Sequence, residues 1–287
     1  MSIIAAPGTL YVVATPIGNL ADLSFRARDM LAAVDVIFAE DTRVTAILLA
    51  HYAIATPMVS LHEHNEARRS AQVIDRLKGG SAVALVSDAG TPAVSDPGAR
   101  VVRDARAAGI PVVAVPGASA ITAALSISGV EGPFAFLGFL PARSTARRTL
   151  LEAWLSFAGA IALYESPHRL RETLDDLREV FGPARGVFIA RELTKRFETA
   201  DRLTLGEAPT WLDADTNRSR GEFVVIIEPA ASPPGDHAGE AATAVLDMLL
   251  EELPLAQAVR VAQRITGERR NKLYQHALAR TRSGDET

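Results

Sequence analysis

Residues Ser81 to Gly98 read SAVALVSDAGTPAVSDPG. The run Ala82-Val83-Ala84-Leu85-Val86 is apolar and of strand length. It breaks into Gly90, Gly98, Pro92, Pro97, Asp88 and Asp96. An apolar run that ends abruptly in Gly, Pro, Ser and Asp reads as a buried parallel strand feeding a shaped loop. In open α/β sheets, ligands bind at such loops, at the carboxyl ends of strands. Gly90 permits close approach to the backbone, and the prolines fix φ. Taken alone, the stretch is equally an ordinary βα turn.

The same pattern recurs on either side. Gly8 to Ala14 is an apolar strand followed by Thr15-Pro16-Ile17-Gly18-Asn19-Leu20, with Ser24 as N-cap of a helix to about Ala33. Pro111 to Val115 is a strand followed by Pro116-Gly117-Ala118-Ser119-Ala120 and a helix to about Leu125. Three such loops along one edge of a parallel sheet make a site built largely from backbone. It suits a ligand held by shape and main-chain hydrogen bonds, such as an adenosyl group. The first loop is neither G-x-G-x-x-G nor a Walker sequence, so no dinucleotide or P-loop fingerprint is present.

Composition sets the frame. The 287 residues have room for two domains and an appendage; 48% are hydrophobic and 22% charged, as in soluble globular proteins. The absence of cysteine excludes disulfides and thiolate chemistry. The N-terminus has no basic region ahead of its apolar residues and no run reaches membrane length, so a cytoplasmic protein without a membrane span is expected. A formal net charge of -4 argues against bulk nucleic-acid affinity but leaves room for a local basic surface.

Charged groups gather at other strand ends. Val36 to Ala39 is a strand ending in Glu40-Asp41-Thr42-Arg43, either a solvated N-cap with Arg43 pairing an acid or a polar site cluster. Met58 to Ser60 precedes His62-Glu63-His64-Asn65-Glu66. Two His at i, i+2 on a loop lack the geometry of H-E-x-x-H, so a polar loop capping the helix Ala67 to Lys78 is expected, and no metal. A helix over Ala99 to Ala108 stops at Gly109.

Gly129 to Pro133 marks a boundary, giving a first α/β domain over 8–130 and a second over 133–229. The second begins with the apolar Phe134 to Pro141 and a helix over Ser144 to Phe157 that opens with the basic group Arg143, Arg147 and Arg148. Its strands Ile161 to Tyr164 and Val187 to Ala190 end in Glu165-Ser166-Pro167-His168-Arg169 and Arg191-Glu192-Leu193-Thr194-Lys195-Arg196. Its last strand, Val224 to Glu228, follows Gly221-Glu222-Phe223. A cleft between the domains is the natural place for these polar ends. Ala230 to Ala238 is a linker by composition, and a three-helix module follows over 239–281. From Pro254 onward it holds seven Arg or Lys against three Asp or Glu, which reads either as a nucleic-acid surface or as a helical cap with solvated charges.

In order, GTLYVVATPIGNLADLSFRA, FAEDTR, HEHNE, LVSDAGTPAVSDPG, VPGASA, GFLP, YESPHR and ARELTKRFE resemble the bacterial small-subunit rRNA ribose 2′-O-methyltransferases of the tetrapyrrole-methylase superfamily. GEFVVIIE and RRNKLY extend the resemblance to nearly the whole chain. Small-molecule tetrapyrrole methylases have Gly-x-Gly-Pro-Gly-like and Gly-Asp-Pro loops where this chain reads Thr15-Pro16-Ile17-Gly18 and Gly90-Thr91-Pro92, a departure that favours the rRNA branch.

The resemblance implies two α/β domains with S-adenosylmethionine in the cleft between them, and a homodimer. It implies methylation of a cytidine ribose 2′-OH in the decoding region of 16S rRNA, as naked RNA or within the 30S subunit. By position, Pro16, Gly18, Gly90, Thr91, Ala93, Val94, Ser119 and Ala120 line the cofactor cleft, with Tyr164, Arg191, Phe223, Glu165 and Glu192 from the second domain. In-line methyl transfer needs alignment, a base for the hydroxyl proton and a partner for developing charge. Asp41, Glu165 and Glu192 are the candidate bases; Arg43, Arg191 and Lys195 are candidates for holding phosphate or alkoxide. Two other readings remain: a tetrapyrrole methylase of the same fold, and a non-catalytic rRNA-binding assembly factor.

Overall fold

The computed structural model describes residues 4–230 and 237–284, and the chain divides into two compact units, the first ending at Ala230. The first unit carries two five-stranded sheets. Its opening half runs β1 (Leu10–Val13), α1 (Phe25–Ala33), β2 (Val36–Ala39), α2 (Thr42–His51), β3 (Met58–Ser60), α3 (Glu66–Lys78), β4 (Val83–Val86), α4 (Ala99–Ala107), β5 (Val112–Val115) and α5 (Ala120–Ser128). The strand order is β3-β2-β4-β1-β5, all parallel. β4 and β5 therefore flank β1, which brings the three Gly/Pro loops side by side.

Continuous apolar strands let the sheet bury both faces. Tyr11, Val13, Ile37, Ala39, Ala84 and Val86 pack with Ala27, Met30, Leu31, Leu48 and Leu49 of α1 and α2. Leu10, Val36, Phe38, Val83 and Leu85 pack with Val73, Leu77, Val101 and Ala105 of α3 and α4. Ser24 caps α1 by accepting from the Ala27 N–H, a contact of about 1 kcal/mol.

The second half runs β6 (Phe134–Phe139), α6 (Ser144–Glu152), β7 (Ala160–Glu165), α7 (Leu170–Phe181), β8 (Gly186–Arg191), β9 (Thr199–Thr204), α8 (Ala208–Asp213) and β10 (Phe223–Ile227). Its order is β6-β7-β10-β8-β9, with only β6 and β7 parallel. One face buries Ile161, Leu163, Val187, Ile189 and Val225 under α6, α7 and α8. The other face, Ala160, Ala162, Phe188, Ala190, Val224 and Ile226, packs on Ile17, Ile121 and Ala124 of the first half. Its alanines leave room for α5 to lie close. Arg147 is wholly buried, with Nε 2.6 Å from Asp176 Oδ2, and Ser144 donates to Oδ1 of the same carboxylate at 2.8 Å.

The second unit holds α9 (His237–Glu252), α10 (Leu255–Thr266) and α11 (Arg270–Gly284). Ala242, Leu246, Ala258, Val259, Ala262, Leu273 and Ala277 form its core. Within the stretch read as a linker, residues 231–236 lie outside the described residues. Among the described residues, no helix is long and apolar enough to cross a membrane.

Candidate functional site

Two loops are stitched together at the carboxyl edge of the first sheet. The Thr15 N–H donates to Gly90 O at 2.9 Å and the Gly90 N–H to Thr15 O at 3.1 Å. Thr15 Oγ1 donates to Ser87 O, and Thr91 Oγ1 to Ala118 O in the third loop. Gly90 has φ +85°, and a Cβ there would lie 3.3 Å from Ile17 Cγ2. Ala93 and Ser95 take φ +66°, a conformation costly without glycine and typical of ligand-binding loops. Glu66 holds the far end of the central loop by accepting from the Gly98 and Arg100 N–H groups. The HEHNE segment thus caps α4 as well as opening α3. Among the described residues, no group of three or more His, Asp or Glu is placed to hold a metal ion.

These loops and the ends of β7, β8 and β10 enclose a chamber of about 270 Å³. Gly90, Ser119 and Ala120 are among its small lining residues, and Ile17, Leu193 and Phe223 give it apolar walls. Tyr164 closes one side, packed edge-on against Phe136 and Phe139 at centroid distances of 4.8 and 5.7 Å. Burial raises the Tyr164 hydroxyl above its usual value. Asp96 faces into the same space; burial, then the Glu40 charge, raise its carboxyl to about 6. A second chamber of about 250 Å³ adjoins the first and shares Ile17, Ala89 and Glu222 with it. Leu20, Val44, Ile47 and Leu48 give it an apolar side, and Thr45, Asp88 and Lys195 a polar one.

Lys195 is pinned between two carboxylates, with Nζ 2.9 Å from Glu192 Oε1 and 2.8 Å from Glu222 Oε2. Burial lowers its pKa, but these two hydrogen bonds outweigh that, so it is raised and the group is a firm cation. Burial likewise opposes ionisation of Glu192, and its bonds from Lys195 and the Glu222 N–H hold its pKa below the usual carboxylate value. The Lys195 stem lies on Gly18, where a Cβ would come within 2.5 Å of Cγ.

The expected site residues therefore separate. Gly90, Thr91, Val94, Ser119, Ala120, Tyr164, Glu165 and Phe223 line the first chamber, while Pro16, Gly18 and Lys195 line the second. Ala93, Asp41, Arg43, Arg191 and Glu192 line neither. Arg191 is buried and donates to Arg220 O and Phe197 O, so it clamps the β8 and β10 ends instead of facing a ligand. The Glu165 side chain has no exposed surface and accepts from the Ser166 N–H and from Thr173 Oγ1, with Arg169 Nη2 3.5 Å away. Its oxygens hold the β7–α7 turn. Asp41 is the N-cap of α2 and is paired with Arg43, the plainer of its two sequence readings.

Asp88, Asp96 and Glu222 were not singled out from the sequence. The first two stand within the loop quoted at the outset, where spacing alone gave no sign of which acid faces inward. Glu222 reaches the site through the antiparallel pairing of β10 with β8, which no local pattern announces.

The profile of the tetrapyrrole (corrin/porphyrin) methylases matches residues 9–209, and that of the RsmI C-terminal HTH domain matches residues 236–281. The ribosomal RNA small subunit methyltransferase I of Pseudomonas aeruginosa is 50% identical over 275 residues, covering 95% of this chain and 98% of that one. The chain belongs to the ribosomal RNA small subunit methyltransferase I family. The Neisseria meningitidis protein of that name is also 50% identical, over 273 residues, 95% of this chain and 94% of its own. Solved structures share the fold at lower identity. A cobalt-precorrin-4 methyltransferase superposes with TM-score 0.57 at 18% identity, covering 79% of this chain and 97% of that one. A Thermus thermophilus uroporphyrin-III C-methyltransferase complexed with S-adenosyl homocysteine gives 0.55 at 17%, covering 77% and 97%. The rRNA methyltransferase family thus keeps the two-sheet body of the tetrapyrrole methylases and adds a C-terminal helical domain.

Proposed function

We propose that this chain transfers a methyl group from S-adenosylmethionine to the ribose 2′-OH of a cytidine in the decoding region of 16S rRNA. The observation that carries this reading is the pair of adjoining chambers, in a chain that resembles named rRNA methyltransferases over 95% of its length. The first chamber suits the donor. Its backbone and small residues leave a cradle that a Cβ at Gly90 would crowd, its apolar walls suit an adenine ring, and Asp96 offers an acidic partner to a cationic sulfonium.

Gly90, Thr91, Val94, Ser119, Ala120, Tyr164 and Phe223 would hold the cofactor, which when bound supplies an electrophilic methyl group. The protein's part is to align the acceptor oxygen, exclude water and move one proton. Lys195, kept charged by Glu192 and Glu222, is placed to stabilise a developing alkoxide or hold a phosphate. Arg43, whose side chain is 89% exposed, is available to the RNA backbone. The C-terminal module, with its basic excess, adds RNA affinity.

The reading also includes a cytoplasmic homodimer. Exposed Ile127, Phe134 and Phe139, on α5 and the edge strand β6, are the apolar surface a second copy would cover. The test is calorimetric cofactor binding followed by transfer to 30S subunits and, separately, to a tetrapyrrole acceptor. Binding with transfer to 30S alone is expected. Transfer only to the tetrapyrrole would move the chain to the small-molecule branch, and absence of cofactor binding would make it an assembly factor.

A further inference from the structure

The geometry points to Asp88 as the general base that takes the proton from the acceptor hydroxyl in the second chamber. This rests on the methyl-transfer reading above and goes beyond it by naming the base. Every other acid near the chambers is committed or faces elsewhere; Glu40, whose Oε2 accepts the Asp88 N–H at 3.3 Å, lines neither chamber. Asp41 is paired by Arg43, Glu165 is enclosed by its own turn, and Glu192 and Glu222 share Lys195. Asp96 lines the donor chamber only.

Asp88 lies two residues beyond the end of β4 and lines the second chamber, and its neighbour Ala89 lines both. Asp88 Oδ1 accepts the Asp41 N–H at 2.9 Å, which fixes the carboxylate. Among the described residues, Oδ2 has no hydrogen-bond partner and no cation lies in ion-pair contact. A fixed carboxylate with one oxygen open, at the wall between donor and acceptor spaces, is what proton removal during an in-line displacement requires.

The surroundings tune it in the same sense. Burial raises the Asp88 carboxyl above its ordinary value; the Asp41 carboxylate adds to this, and the Asp41 N–H and the Arg43 charge oppose it. Glu40 and Asp96 are further acids that interact with it, and Lys195 and Glu222 share its chamber. A raised pKa makes a stronger proton acceptor.

In the step, the 2′-O–H proton passes to Asp88 Oδ2 while the 2′-oxygen bonds the methyl carbon. The carbon–sulfur bond breaks with its electron pair left on sulfur, giving a neutral thioether. Asp88 then returns the proton to solvent.

The experiment is single-turnover transfer from labelled S-adenosylmethionine to 30S subunits lacking their ribose methylations, across the pH range where the wild-type rate rises. Wild type, Asp88→Asn, Asp88→Glu and Asp96→Asn are compared, with cofactor affinity measured by calorimetry. Asparagine keeps an oxygen for the Asp41 N–H. Asp88→Asn should lose about 10²–10⁴-fold in rate and the pH-dependent rise, with cofactor affinity unchanged. Asp88→Glu should keep the rise at a reduced rate, and it carries the test if the Asn variant misfolds. An Asp88→Asn enzyme as fast as wild type, or a rise abolished by Asp96→Asn and kept by Asp88→Asn, would overturn the assignment while leaving the methyl-transfer reading intact. A wild-type chain that binds cofactor and modifies no 30S subunit would overturn both.

Discussion

The Arg43 guanidinium turns back onto the carboxylate two residues before it, with Nε 3.0 Å from Asp41 Oδ1 and 3.1 Å from Oδ2. The Arg43 N–H lies 2.8 Å from Asp41 Oδ1 as well, so Asp41 caps α2 and holds the arginine at once. The Arg43 hydrogen bonds lower its carboxyl to about 2, a poor proton acceptor. Asp41→Asn keeps a capping oxygen and should keep most of the single-turnover rate; a loss of about 10²-fold or more would restore Asp41 as the base. Arg43→Ala should weaken 30S binding and reduce the salt slope by about one, measured by binding across a salt series, with cofactor affinity unchanged.

Gly18 meets Lys195 across the second chamber. Gly18→Ala would force the Lys195 stem away and draw Nζ off Glu192 and Glu222. The transfer rate should fall by about 10²-fold with little change in cofactor affinity. If displacement of Lys195 is the cause, Lys195→Met should lose a similar factor and the double variant little more.

Asp96 gives stability a pH signature. Its carboxyl titrates near 3.8 when unfolded and at about 6 when folded, so the folded state holds the proton more tightly. The resulting stability is fully present below about pH 3.8 and is lost as pH rises through about 6. Asp96→Asn removes this dependence. Thermal unfolding of both proteins should therefore show the variant gaining on wild type between about pH 4 and 6, with no further gain at higher pH. A difference independent of pH would contradict the raised value.

Arg147 and Asp176 tie α6 to α7 inside the second half, with side-chain exposures of 0% and 9%. Arg147→Ala leaves that carboxylate with Ser144 and a longer contact to Arg148, and should cost about 3–5 kcal/mol in denaturant unfolding. Retained stability would mean that Arg148 takes over the pair.

The loops at the sheet edge were legible because each follows a short continuous apolar strand and contains residues with restricted backbones. The strands β1 to β5 and the Ser24 cap were legible for the same local reasons. Other elements were not, α2 and β9 among them. α2 reads TRVTAILLAH, in which β-branched and apolar residues blur the helical period. β9 reads TADRLT, an edge strand without apolar alternation, held by its pairing with β8. Among the charged candidates, strand-end position was legible and orientation was not. Arg191 and Glu165 stand at strand ends like Lys195, yet turn inward to carbonyls, a hydroxyl and an N–H. Only the tertiary pairing of β8 with β10 brings Lys195 to Glu222.

The C-terminal helices have a core of their own. A chain ending at Ala230 should bind S-adenosylmethionine with unchanged affinity and transfer poorly to 30S subunits. Full methylation by the shortened chain would remove the RNA role of that module.

The most direct test of the central claim is to map the nucleotide that receives label when the intact chain is given labelled S-adenosylmethionine and 30S subunits lacking their ribose methylations. Label recovered as 2′-O-methylcytidine from the decoding region is the predicted result. Label on a base, on another nucleotide, or nowhere on the RNA despite measured cofactor binding would contradict it.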